Sequence, residues 1–301
     1  MIDIEKIKIT TLCDNGVADI DYVAEWGLSL HLGLDGGKSI LLDTGDGKAC
    51  LHNASVAGID LAEVESICLS HGHSDHTGGL LPVLHKIRQS RPRREKVDIY
   101  CHPAALEEQY VRHTDTYFYR GIPYHLEELR RLGACFHTSA QPVWLGEDVV
   151  LSGEVPLKTE FESPSDICYL KMGEEYHPSP VLDDQALFVR TSQGLLVLSG
   201  CAHRGIINTL LHAREITGME HIHLVVGGTH LLNTQMSQQE QTADALRKLK
   251  VRKIGVSHCT GLKPACYLAQ NLGSEKFFFN NAGTAITFSG RNIAVKAFES
   301  A

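Results

Sequence analysis

Apolar residues along the chain recur with two periods, and the alternation between them outlines the fold. Lys6 to Leu12 alternates apolar and polar positions and predicts a first strand, ended by the turn Cys13-Asp14-Asn15-Gly16. Trp26 to Leu32 and Ser39 to Asp43 read as two strands joined by a hairpin at Asp35-Gly36-Gly37. Leu51 to Glu65 is a helical stretch, and Val64 to Ser70 is apolar enough for a buried strand. A helix is expected from Leu80, with Pro82 tolerated in its first turn. Val97 to Pro103, Asp148 to Glu154 and Phe161 to Lys171 read as further strands, and Gly173 to Pro180 as a polar loop. Leu195 to Gly200 is a continuous apolar run fit for a central strand. Helix from Gly205 to Arg214, strand at Ile222 to Val226, amphipathic helix over Gln238 to Leu249 and strand at Lys253 to Ser257 follow. Ala285 to Phe288 and Ile293 to Ala297 form a closing hairpin around Ser289-Gly290-Arg291-Asn292. Two runs of strands interleaved with helices predict an α/β (α+β) fold, two mixed sheets face to face with helices outside. The chain is expected to be a single domain, with an insertion or lid at about 103–180.

One stretch does not serve packing. Ser70-His71-Gly72-His73-Ser74-Asp75-His76-Thr77-Gly78-Gly79 puts three imidazoles and a carboxylate within six residues. Imidazole nitrogen with carboxylate oxygen suits zinc, with manganese or iron also possible choices. If the strand ends near Ser70, His71 and His73 leave it on one side, and Asp75 and His76 lie in the turn, facing a second metal position. His85, alone inside an amphipathic run, is by contrast a surface or packing residue.

Composition narrows the class. At 43% hydrophobic and 21% charged, the 301 residues can bury a substantial core. A formal charge of −8 argues against a broad nucleic-acid surface. The one basic cluster, Arg88 to Lys96, reads as a solvated helix end and loop. Nine cysteines without close pairs, no signal-peptide pattern and no apolar run near the ~20 residues of a membrane span predict a cytoplasmic protein with free thiols and no membrane partner.

His-x-His-x-Asp-His followed by Thr-Gly-Gly resembles the signature of the metallo-β-lactamase superfamily. It is most similar to the branch of 7,8-dihydropterin-6-methyl-4-(β-D-ribofuranosyl)-aminobenzene-5′-phosphate synthase-like proteins. Further elements of that branch are Asp14-Asn15, Gly121-x-Pro123, acidic-Gln185-Ala186-Leu187, Gly227-Gly228-x-His230-Leu231 and His258-Cys259-Thr260-Gly261. The resemblance implies a four-layer αββα sandwich holding one or two metal ions. It implies that Asp43, ending an apolar strand, lies beneath the site and orients ligands, and that Asp184 occupies a supporting place where many members carry a ligating histidine. With no histidine there, His203 is preferred as the third ligand of the first metal. Cys201 stands where most members have a bridging aspartate, and is either a bridging thiolate or a small buried residue. His258 completes the second site with Asp75 and His76. His230 is a general acid or base, a substrate contact or a ligand. Asn15 sits at the mouth of the site or serves the turn alone.

Glu107 to Arg131 is dense in aromatics and charge. It is either a lid, with Tyr117 stacking on a ring and Arg120 holding a phosphate, or a surface helix pair or oligomer contact of a homodimer. The function implied is metal-assisted hydrolysis or transfer on a small-molecule substrate, phosphorylated or pterin-like. Asp75 would orient the nucleophile and His230 would protonate the leaving group. The alternatives are a generic metallo-hydrolase of esters, lactones or phosphodiesters, and a non-catalytic metal-binding sensor. Motifs after residue 180 differ from those of true β-lactamases.

Overall fold

The computed structural model describes residues 1–90, 95–165 and 167–296. Arg91 to Arg94 of the basic cluster and Ala297 of the closing hairpin lie outside them. An eight-stranded sheet runs in the order Asn292–Lys296, Ala285–Ser289, Lys8–Cys13, Ser29–Gly33, Ser39–Leu42, Ser66–Cys68, Val97–Cys101, Ala134–Thr138. A seven-stranded sheet runs Phe277–Phe279, Lys253–Val256, Ile222–Gly227, Gly194–Ser199, Ala186–Thr191, Val149–Leu151, Val143–Trp144. Each sheet is mixed. The strands from Ser39–Leu42 to Ala134–Thr138 are parallel, as are those from Gly194–Ser199 to Phe277–Phe279.

Period-two alternation sorts the side chains into layers. Ile40 and Leu42 point into the core between the sheets, where Leu196, Leu198, Leu224 and Val226 meet them from the other side. Leu41, Ile67 and Ile99 point outward, against Leu80, Val83, Leu84 and Ile87 of the helix Leu80–Ser90. Leu195, Val197 and Val225 face the helices Ile206–Thr217, Met236–Lys248 and Leu262–Leu272. The result is the expected αββα arrangement, because strands buried on both faces need cover on both. His85 is exposed on its helix.

The stretch 103–180 divides. Ala134–Thr138 completes the first sheet, and Val143–Trp144 and Val149–Leu151 complete the second. The remainder forms a third, four-stranded sheet in the order Glu175–Pro178, Cys168–Met172, Gln109–His113, Thr116–Tyr119. Two expectations are corrected here. Glu175–Pro178 is a strand, not part of a polar loop, because it pairs along Cys168–Met172. Glu107 to Arg131 is not a helix pair: its aromatic run alternates across a hairpin and only Leu126–Arg131 is helical. No helix among the described residues is long and apolar enough to cross a membrane, and all nine cysteines are free.

Candidate metal centre

Every segment of interest follows the C-terminal end of a parallel strand. Asp43 follows Ser39–Leu42, the histidine cluster follows Ser66–Cys68, and Cys201 and His203 follow Gly194–Ser199. His230 follows Ile222–Gly227 and His258 follows Lys253–Val256. Parallel strands bring those ends to one rim. Asp43 (φ 60°), Ala202 (φ 57°), His230 (φ 51°) and His258 (φ 50°) are left-handed, so the backbone turns sharply at four of these points without glycine. Such strain collects where surrounding structure over-determines a site. At Gly72, a Cβ would come within 2.4 Å of the Ala105 carbonyl oxygen, so the loop between His71 and His73 can pass there only as glycine.

The donors form two groups. His71 Nε2 lies 3.0 Å from His73 Nδ1 and 3.3 Å from His203 Nε2. His76 Nε2 lies 3.3 Å from His258 Nε2, which lies 3.3 Å from Asp75 Oδ2. Cys201 Sγ sits 3.1 Å from His76 Nε2 and is also grouped with His71. Cys259, which the sequence reading passed over, has its sulfur within 4.8 Å of donor atoms of both Cys201 and His258. Its signal was its place beside His258.

Hydrogen bonds at the back of the rings fix which nitrogen faces inward. Asp43 accepts from Ser70 N (2.7 Å), Ser70 Oγ (2.6 Å) and His76 Nδ1 (2.7 Å). With its one hydrogen given to Asp43, Ser70 Oγ accepts from His71 Nδ1 at 2.9 Å. Asn15 Oδ1 accepts from His258 Nδ1 at 2.9 Å, while Asn15 Nδ2 donates to the His258 carbonyl. His71, His76 and His258 therefore all present Nε2 lone pairs to a common interior. Lone pairs 3.3 Å apart repel unless a proton or cation lies among them, which is the chemistry of a metal centre.

The electrostatics agree. Burial, then neighbouring rings, hold His71 and His203 well below the usual imidazole range, so both rings are neutral and able to donate a lone pair. Burial also opposes charge on His76, but Asp43 outweighs it and lifts that ring to about 9, so a cation must displace the Nε2 proton before that nitrogen can ligate. Burial works against ionised Asp75 as well, yet His258, His76 and His73 hold its carboxyl far below the ordinary carboxylate range. Burial and Cys259 push the Cys201 thiol up, so its proton must be displaced before the sulfur can ligate.

Supporting residues fall where their chemistry directs. Asp184 Oδ2 accepts from Arg204 N at 2.9 Å and steadies the turn that carries His203; burial raises its pKa to about 7. Asp183, not singled out by sequence, accepts from Gly72 N (2.8 Å) and Gln109 Nε2 (2.7 Å) and pins the histidine loop to the third sheet.

A cleft of about 560 Å³ opens over the donors, lined by His73, Asp75, Cys201, His203, His230 and His258. Its rim includes Ser163 to Ser165 and Asn233 to Gln235, which no sequence motif marked. The His230 ring centroid lies 4.1 Å from that of His203. Asn15 touches His258 and lines a neighbouring pocket instead. Tyr117 and Arg120 do not line the cleft. The Tyr117 ring stacks on Tyr176 at 3.9 Å, and the Arg120 side chain is exposed while its carbonyl accepts from Ser74 N. Their placement in the cleft is thus corrected: packing within the third sheet claims the one, solvent the other.

Comparison with known proteins follows the same lines. Residues 31–159 match the family model of the metallo-β-lactamase superfamily. The chain is 29% identical over 283 residues to the 7,8-dihydropterin-6-methyl-4-(β-D-ribofuranosyl)-aminobenzene-5′-phosphate synthase of Methanocaldococcus jannaschii, covering 91% of this chain and 92% of that one. Among solved structures, a metal-dependent hydrolase of the β-lactamase superfamily is 28% identical, with a TM-score of 0.79 over 94% of this chain and 99% of that one. A diphosphatase from the PhnP family shares the fold at 16% identity, with a TM-score of 0.53 over 94% of this chain and 97% of that one. A family match running through the histidine cluster, and a solved relative that follows the chain over nearly its whole length, show that this chain has the metallo-β-lactamase fold and is similar to members of that superfamily.

Proposed function

We propose that the chain is a metal-dependent enzyme acting by hydrolysis or transfer on a small phosphorylated substrate that carries a flat apolar or pterin-like part. The observation that carries this reading is the convergence of two donor groups beneath one cleft, with their outer nitrogens tied back to Asp43, Ser70 and Asn15. His71, His73 and His203 would hold one ion, and Asp75, His76 and His258 a second, with Cys201 between them. A bound divalent ion, usually zinc in this fold, supplies Lewis acidity and positive charge.

The rest falls to the chain. Asp75 orients the attacking group, since its carboxylate is held ionised and borders the cleft. His230, half-buried on the cleft wall, carries the proton to the leaving group on its imidazole. No lysine or arginine lines the cleft among the described residues, so the charge of a phosphate would be met by the metals rather than by side-chain cations. Next to it, a pocket of about 390 Å³ is walled by Trp26, Leu232, Leu262 and Phe279, which suits a flat ring. The synthase relative supports transfer, and the hydrolase relative supports hydrolysis.

The test joins metal analysis of the purified protein to turnover of phosphodiester, lactone and pterin substrates. Metal at one or two equivalents, with turnover lost in His71→Ala, is expected. Full metal content with no turnover of any class would instead make the chain a sensor.

A further inference from the structure

A separate cavity lies at the opposite end of the parallel strands from the metal cleft. Gly194–Ser199 and Ile222–Gly227 pair in parallel, but the pairing slips: Leu195 faces Ile222, and the next residue, Leu196, faces Leu224. His223 is the extra residue of this bulge, a device that re-aims a side chain. It is 1% exposed, and neither of its ring nitrogens has a hydrogen-bond partner among the described residues. A buried imidazole with two idle nitrogens is costly, and such groups call for an explanation. Packing offers none, for its ring neighbours are His221 at 5.8 Å and Phe288 at 6.2 Å between centroids. Gly194, at φ +133°, makes the room: a Cβ there would meet His221 Cδ2 at 2.6 Å and His223 Cβ at 3.2 Å.

His223 borders a cavity of about 350 Å³ whose charged lining is entirely basic: His221, Arg252 and Arg291, beside Ser192 and Gln193. Arg130, Arg190, Arg214 and Arg247 are ion-paired, whereas Arg252 and Arg291 have no ion-pair partner among the described residues. The adjoining depression adds Lys250, Lys253 and Lys276 against one acid, Glu275. Such a concentration of cations is unexpected in a chain of formal charge −8. Burial and then Arg252, His221 and Arg291 hold the His223 pKa down to about 4, so the uncompensated field reaches the ring.

We propose that this cavity binds a small oxyanion of the phosphate or phosphate-monoester class, which accepts hydrogen bonds from the His223 ring and from the guanidinium groups of Arg252 and Arg291. Paired guanidinium and imidazole donors suit that geometry. The site is separate from the metal centre. His223 lies at the start of its strand and the metal cleft beyond the other end, roughly 20 Å away at about 3.3 Å per residue. A recessed imidazole selects a small ligand, because a duplex phosphate backbone cannot reach it.

The test uses inorganic phosphate, titrated into the full chain both metal-loaded and metal-stripped, with the histidine imidazole resonances as readout. A saturable shift of His223 is expected in both forms. Arg252→Ala/Arg291→Ala, altered only at exposed side chains, should weaken that response at least about tenfold. The same variant should leave the phosphate response of the metal-loaded His71 and His203 unchanged. Phosphate that moves His71 and His203 but leaves His223 still would overturn the proposal, as would unaltered affinity in the double variant. Displacement of phosphate by a short duplex at lower concentration would also overturn it, in favour of a polyanion surface.

Discussion

His71, His76 and His258 each have one nitrogen committed to an oxygen and the other turned to the interior, and the test of Cys201 and His230 follows from which groups share that interior. Cys201 Sγ lies 3.1 Å from His76 Nε2, among inward-facing donors, whereas His230 contacts the centre through the His203 ring. Cys201→Ser should lower metal content, because a hydroxyl is a far poorer anionic ligand than a thiolate. His230→Ala should keep its metal and lose turnover by ~10²–10⁴. Metal content and rate measured on both variants decide the matter, and metal loss confined to His230→Ala would reverse the two roles. At this scale the sequence was legible where candidate donors are close together: His71, His73, Asp75 and His76 stand out by spacing, and the fold brings them into the donor groups. It was legible at Asp43 because a carboxylate ending an apolar strand needs a partner. Asp183 and the Ser163 to Ser165 rim were not legible, since each acts on residues far away along the chain. Tyr117 and Arg120 misled because aromatic and basic side chains fit a ligand and a protein neighbour equally well.

Among elements, the helix Ile206–Thr217 shows how a distant loop completes local structure. Its N-cap is Gly205, which has no side chain to offer, so Glu162 accepts from Ile207 N (2.9 Å) and Asn208 N (2.8 Å) instead. Burial raises the Glu162 pKa from 4.5 to about 7, with those amides pulling it partly back. The folded state thus binds this proton more tightly than the unfolded chain does. Stability from this group is full below pH 4.5 and falls as pH rises towards 7, by about 3 kcal/mol in all. Glu162→Gln should flatten that part of the stability profile in urea unfolding, and an unchanged slope would locate it elsewhere. The third sheet carries a second expectation. Tyr117→Ala removes the stack on Tyr176 and the edge contact with Tyr169. It should cost about 1 kcal/mol or more in stability while leaving the Michaelis constant nearly unchanged. Strands were readable wherever alternation was strong, as in Leu195 to Gly200. The third sheet was read only at Cys168–Met172, the end of the strand expected from Phe161, because strands such as Thr116–Tyr119 and Glu175–Pro178 are short and largely exposed and lack a buried face to set the pattern.

Over the whole molecule, the layers were legible from the order of strands and helices, while the closure of the first sheet by Ala285–Ser289 against Lys8–Cys13 was not, since no local rule pairs the two ends of a chain. Stripping metal should lower the melting temperature, for a ligand bound at about 1,000 times its Kd adds about 4 kcal/mol. Scanning calorimetry with a chelator, then with zinc restored, checks it, and an unmoved transition would show that the donor groups are stable without an ion. A topological consequence remains in the way the two sheets share the donors. His71 and His76 come from the eight-stranded sheet, and their partners Cys201, His203 and His258 from the seven-stranded one, at separations of 125 to 182 residues. An ion seated there would join segments that are remote in the unfolded chain, and so act as a reversible counterpart of a disulfide. Long closed loops cost the denatured ensemble the most entropy, so the benefit would fall on the docking of the two halves rather than on either half alone. Metal would then bind last, after the sheets have met, and its release would be the first step by which they part.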